Sequence, residues 1–302
     1  MNELPDALRL PVDRWIQTAV DWLVYEWRPA FQAMRVPIQY FLTGVTDFLM
    51  LVPFWAVIAA FGMAGLLAAG WRHGLFCVVS FFLIAAMGQW APAMTSLAIL
   101  VTAVAYCCLV GIPLGILASR SEWFWSMLRP VLDCMQTTPS FVYLVPVVML
   151  FGIGTVPGVI ATIIFAMPPV IRLTNLGLRQ VSREVVEAGE AYGATEWQSL
   201  VNIRLPLALP SIMAGLNQTL LMALVMSVVI SMIGAEGLGL IVLRGIGALD
   251  VGLAGVGGLS IVLMAISLDR IAQGLVQLAE PSMRTARARA TLANLRLSTP
   301  SQ

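Results

Sequence analysis

Long apolar runs separated by short polar connections dominate the chain from residue 48 to residue 270. A membrane-spanning helix needs about 20 mostly apolar residues, and seven segments reach or approach that length: 48–69, 75–88, 94–118, 140–152, 156–171, 208–233 and 251–270. The second, fourth and fifth are short for a full crossing. The pattern predicts an all-α, polytopic membrane protein of about seven transmembrane helices, with a transmembrane domain over 48–274. An amphipathic N-terminal tail (1–47) precedes it and a basic tail (275–302) follows. In "PVDRWIQTAVDWLVYEW" the residues Val12, Ile16, Ala19 and Leu23 fall along one helical face, with Trp15, Trp22 and Trp27 near its margins. Such a helix suits the membrane interface, where tryptophan is favoured, and an anchoring helix on the outer leaflet is preferred over a ligand-binding one.

Composition supports the membrane reading. Hydrophobic residues make up 59% and charged residues 11%, against about a quarter charged in soluble domains. A net charge of +1 argues against a nucleic-acid partner. All 17 basic residues are arginine, and their placement sets the orientation, because cytoplasmic loops retain positive charge. Arg72, Arg120, Arg129, Arg172, Arg179, Arg183 and Arg204 fall in alternate connections, while "QWAP" and "GIGTVP" carry no charge. Arg284, Arg287, Arg289 and Arg296 in the tail belong to the same side. The N-terminus is therefore expected outside and the C-terminus inside. Orientation is the preferred role of the tail arginines, ahead of sensing anionic lipid and ionic strength. The first 40 residues lack a short apolar core behind a basic start, so the first span is expected to direct insertion.

Chemistry-bearing residues are sparse. Cys77, Cys107, Cys108 and Cys134 form no C-x-x-C pair, and His73 has no metal-ligating neighbour at ligand spacing, so no metal site is expected. An intramembrane enzyme would need a nucleophile with its base, an H-E-x-x-H or an aspartate pair, and none appears. A phosphate-binding P-loop needs a lysine, and the chain has none. An ion-coupled secondary transporter is the main alternative, but such carriers place ionisable groups inside their spans. Asp47, Glu236, Asp250 and Asp269 fall at or beyond predicted span ends. Asn217, Gln218 and Thr219, inside the sixth span, are candidates either for lining a pathway or for hydrogen bonding between helices. The glycines of "GIPLG" fit a close helix contact, and "GIGTVPG" reads as a tight external turn.

One segment breaks the apolar pattern. "EVVEAGEAYGATEWQSLVNIRLP" (184–206) holds four glutamates between two spans. Ser182 stands where it would cap a helix carrying Glu184, Glu187 and Glu190 near its start, Gly193 supplies a stop, and Thr195 and Gln198 have capping-box spacing. Two short helices with a sharp turn are expected, ended by Pro206 and Pro210. Ala188, Gly189, Ala191, Gly193 and Ala194 are all small, which lets another backbone approach closely, and a docking element for a partner protein is the preferred reading over an ordinary loop.

The same residues resemble the EAA loop of ABC-importer permeases. Glu187, Ala188, Gly193, Ile203, Leu205 and Pro206 occupy the matching positions, while Gly189 stands where the pattern has a second alanine. The stretches "DCMQTTPSFVYLVPVVMLFGIGTVPGVIATIIFAMPPVIRLTNLGLRQV", "LPLALPSIMAGLNQTLLMAL" and "VLRGIGALDVGLAGVGG" are similar to permeases that import glycine betaine, proline betaine or choline, and the likeness covers roughly residues 48–274. Glu236 in "GAEGLG" departs from an expected small or neutral residue. The resemblance implies a type I ABC-importer permease fold in the bacterial cytoplasmic (inner) membrane. It implies a homodimer, two ATPase subunits beneath it, and an external substrate-binding protein. The loop 182–206, with Ala194 among its contacts, would couple the ATPase to the pore. ATP and magnesium would be used by the ATPase, with no cofactor bound by this chain.

Overall fold

The structure, a computed structural model, describes residues 12–279. The tail arginines Arg284, Arg287, Arg289 and Arg296 lie outside the described residues, as do the side chains of Val12, Ile16, Ala19 and Leu23. The described chain is helical throughout: α1 (Val12–Leu51), α2 (Phe54–Ala69), α3 (Trp71–Ala86), α4 (Trp90–Arg120), α5 (Glu122–Thr137), α6 (Leu144–Phe151), α7 (Thr155–Arg179), α8 (Arg183–Ala191), α9 (Glu196–Ser199), α10 (Leu205–Val229), α11 (Leu238–Gly247) and α12 (Val251–Ala279). The expected all-α, polytopic architecture is what forms.

The seven predicted segments divide into kinds. Trp90–Arg120, Thr155–Arg179, Glu196–Ile233 and Val251–Gly274 are long and apolar enough to cross a membrane singly. The segment 48–69 is not one helix, because α1 and α2 meet at a bend of 104°. Pro53 is the cause: it has no N–H to continue α1, and it disfavours helical geometry at the residue before it. The expected boundary at 47/48 therefore falls inside α1, whose Ile38 and Leu42 are buried in the bundle. The segment 140–152 is only the second half of a pair, Glu122–Thr137 and Ser140–Phe151, bent by 108°. The first half, α5, was hidden in what reads as a polar connection. The segment 75–88 is α3, joined to α2 through Gly70 alone, at φ +94, where a side chain would be strained.

α7 lies at the centre, between α4 and α10. The α4 contact depends on the "GIPLG" glycines: a Cβ on Gly111 would stand 2.4 Å from Val170 Cγ1, and one on Gly115 2.6 Å from Thr174 Cβ. The α10 contact uses Gly215 and Gly177 in the same way, against Val170 and Ser211. "GIGTVPG" forms the turn before α7, held where Gly154 N–H donates to Ile233 C=O at 3.0 Å. α11 and α12 form a hairpin, with Gly245 against Ala254 and Gly257 against Val242. The far end of α12 meets the end of α2 where Gly274 touches Ala68. Asp269, expected at a span end, instead lies within α12 and accepts a hydrogen bond from Gln273 Nε2 at 2.7 Å.

α1 also closes off α6. The last carbonyls of a helix have no partner within it, and here Gln32 Nε2 donates to Leu150 C=O and Arg35 Nη1 to Phe151 C=O, each at 3.2 Å. Phe31 adds an edge-on contact to Phe151, with ring centroids 5.4 Å apart.

Candidate functional site

The charged segment folds into a compact turn beside the Arg179 end of α7. α8 is held down by Val186, its one buried residue. Its end is a Schellman turn: Gly193 N–H donates to Glu190 C=O at 2.9 Å and Ala194 N–H to Gly189 C=O at 3.1 Å. Gly193 sits at φ +85, left-handed backbone that suits glycine. The capping box forms in full, with Gln198 N–H donating to Thr195 Oγ1 at 3.3 Å and Thr195 N–H to Gln198 Oε1 at 2.9 Å. Ser182 occupies the N-cap position of α8, but its hydroxyl makes no capping bond.

The second short helix differs from expectation in a way that matters. α9 does not end at the prolines. It continues through one π-helical turn, Leu200–Arg204, directly into α10, so Glu196–Ile233 is a continuous rod of 38 residues. Pro206 stands in the first turn of α10, where a missing N–H is tolerated, and Pro210 lies inside that helix.

The candidate residues fall into four groups. Glu187 and Glu190 line a cavity of about 380 Å³ together with Arg179, Arg183, Arg204 and Ser119. Both are exposed, and neither is in an ion pair among the described residues. Gly189 is used by the chain itself, since a Cβ there would stand 2.3 Å from Ile203 Cδ1. That atom is the end of a flexible side chain, so the alanine of the related pattern fits if Ile203 turns. Leu205 packs with Leu178, Leu200, Ala208 and Ile212, which seats the turn on α4 and α7, while Pro206 is exposed and Ala194 half-buried. Ala188 and Gly193 remain open.

Two aromatic residues that the sequence reading passed over stand out: Tyr192 is 94% exposed and Trp197 68% exposed. Their signal was available, as two large rings in a run of small and acidic residues. Interface energy concentrates in such side chains.

Asn217, Gln218 and Thr219 do not form one lining set. Successive helical residues lie about 100° apart, and here Thr219 is fully buried, Asn217 half-buried and Gln218 exposed. Asn217 Oδ1 and Thr219 Oγ1 have no hydrogen-bond partner.

Arg179 ties three helices together behind the turn. Its Nε donates to Asn175 Oδ1 at 2.7 Å, its Nη2 to Ala118 C=O at 2.8 Å, and its Nη1 pairs with Glu122. Glu122 is 80% exposed, so that ion pair contributes little, and the carbonyl bond carries more. Arg179→Ala is expected to destabilise the chain by about 2 kcal/mol. A lower melting temperature of detergent-solubilised protein, with Glu122→Gln much milder, checks it.

The chain belongs to the family of binding-protein-dependent transport system inner membrane components, whose model matches residues 111–285. It is thus a multi-pass inner-membrane component of a transport system. Among its relatives, the glycine betaine/proline betaine transport system permease protein ProW of Escherichia coli (strain K12) is 50% identical over 266 residues, covering 88% of this chain and 75% of that protein. The glycine betaine/carnitine transport permease protein GbuB of Listeria monocytogenes serotype 1/2a (strain 10403S) is 42% identical, over 89% of this chain and 97% of that one. The glycine betaine transport system permease protein OpuAB of Bacillus subtilis (strain 168) is 39% identical, over 91% and 96%. Among solved structures, an inward-facing form of the MetNI methionine ABC transporter has a similar fold, with a TM-score of 0.56 at 20% identity over 61% of this chain and 93% of that chain.

Proposed function

We propose that this chain is the permease subunit of an ATP-driven importer of glycine betaine, proline betaine or a related quaternary amine such as choline. Two copies form the pore, two ABC ATPase subunits dock on the turn between α8 and α9, and an external binding protein delivers the solute. The N-terminus lies outside the bacterial cytoplasmic membrane and the C-terminus inside. ATP and magnesium are used by the ATPase, and the chain catalyses no reaction of its own.

The observation that carries this reading is the continuity of the turn with α10, over Glu196–Ile233. A push on an exposed turn is felt along the whole rod, and α10 packs on α7 through Gly215 and Gly177. Closure of the ATPase dimer would tilt the rod and bias the pore between two access states. The relatives named above support the choice of solute.

The test is uptake of radiolabelled glycine betaine into proteoliposomes holding this chain with its ATPase, ATP inside and binding protein outside. Uptake that requires ATP is the expected result. Uptake that proceeds without ATP and collapses with the ion gradient would replace this reading with an ion-coupled carrier.

A further inference from the structure

The bent pair α5–α6 places charge where a lipid-facing surface cannot hold it. Phe165 lies about 15 Å along α7 from Thr155, and Arg172 about 10 Å from Arg179, so both stand at membrane depth. Asp133 of α5 accepts from Arg172 Nη2 at 2.5 Å, yet the two side chains are 52% and 33% exposed. As a rule, charges at that depth face a bundle interior or a water-filled cavity rather than hydrocarbon.

Aromatic rings continue the same strip. Tyr143, in the single 3₁₀ turn between α5 and α6, meets Phe165 with ring centroids 6.4 Å apart, and its hydroxyl donates to Met135 C=O, beside Asp133. Phe141 in the same turn is 60% exposed. Broken helices near the middle of a membrane are where transporters commonly place their solute contacts.

We propose that this break lines the translocation pathway and forms a passing station for a zwitterion, Asp133 with the Phe141 and Tyr143 rings receiving the quaternary ammonium and Arg172 the carboxylate. The proposal rests on the betaine-import reading above. Aromatic faces attract quaternary ammonium groups. An exposed ion pair is weak enough to exchange partners, and a station that must release its solute needs that. Arg172 Nε, moreover, has no hydrogen-bond partner.

Cys134, exposed and adjacent to Asp133, is a native reporter. Asp133 is the one acid between Arg129, 4.0 Å away, and Arg172, so in proteoliposomes holding the complete importer a trimethylammonium thiosulfonate should label Cys134, and Asp133→Asn should slow that labelling about tenfold by leaving the two cations unopposed. Excess glycine betaine should slow labelling, and Cys134→Ser should abolish the signal. Phe141→Leu should lower betaine uptake about fivefold, with Phe141→Tyr restoring it and capture by the binding protein unchanged. Normal ATP-driven uptake with Cys134 unreactive, or labelled by the cationic reagent as fast in the Asp133→Asn chain as in the unaltered one, overturns the station alone, as does full uptake by Phe141→Leu. No ATP-driven betaine uptake by the unaltered importer overturns the import reading, and the station with it.

Discussion

A chain with Tyr192→Ala and Trp197→Ala no longer brings its ATPase through purification, and its affinity for that subunit falls about 10³-fold. Tyr192 stands almost free of the bundle and about two-thirds of Trp197 is exposed, so little of the fold depends on them. Buried on docking, two aromatic anchors of this kind contribute about 2 kcal/mol each, which multiplies to that factor. Pull-down of the ATPase by the solubilised chain, with melting temperature as a control for folding, checks it. ATPase binding retained at full strength would move the docking surface elsewhere.

A second pair of changes keeps the ATPase attached but disconnects it. Val201 and Asn202 are exposed positions in the π-helical turn between α9 and α10. Glycine at both positions lowers helix preference by about 0.3–0.5 kcal/mol each relative to valine and asparagine, and by about 1 kcal/mol each relative to alanine. The rod then yields at the turn instead of tilting as a unit. ATP hydrolysis continues, while solute moved per ATP falls about tenfold or more through the loss of rigid transmission. Alanine at both positions restores transport, because it returns the helix without the original side chains. An unchanged ratio of uptake to hydrolysis in the glycine variant would mean that force reaches the pore by another route.

What the sequence made legible is local. Gly193 and the Thr195–Gln198 box were readable because their partners lie within a few positions, and the turn they predict forms. The span pattern was legible wherever apolar residues run unbroken, as in α4 and α12, whereas α7, read as short over 156–171, runs on to Arg179 through Arg172 and Asn175, polar residues that made it seem to stop. α5 was not, since Glu122, Arg129 and Asp133 made it look like a connection. Those charges are satisfied by Arg179 and Arg172 of α7, and by Arg129 beside Asp133, and pairings to α7 so distant in the chain leave no local trace. Gly189 suggested room for a partner, whereas the neighbour it accommodates is Ile203 of the same chain. The role of Asn217, Gln218 and Thr219 depended on which way each points around α10, which a uniformly apolar helix does not disclose.

The contact of α1 with α6 has a consequence for how the protein is made. Gln32 and Leu150 are separated by 118 residues, so at typical synthesis rates α1 leaves the ribosome roughly 6–24 s before the carbonyls it will satisfy exist. Until then Gln32 and Arg35 have no mate on α6. A polar pair waiting in a bilayer is held at the interface or by the insertion machinery, so α1 is made before α6 but settles only after it. Assembly of this membrane protein therefore does not follow the order of its sequence: α1 is a latch that closes behind a helix not yet translated when it arrived.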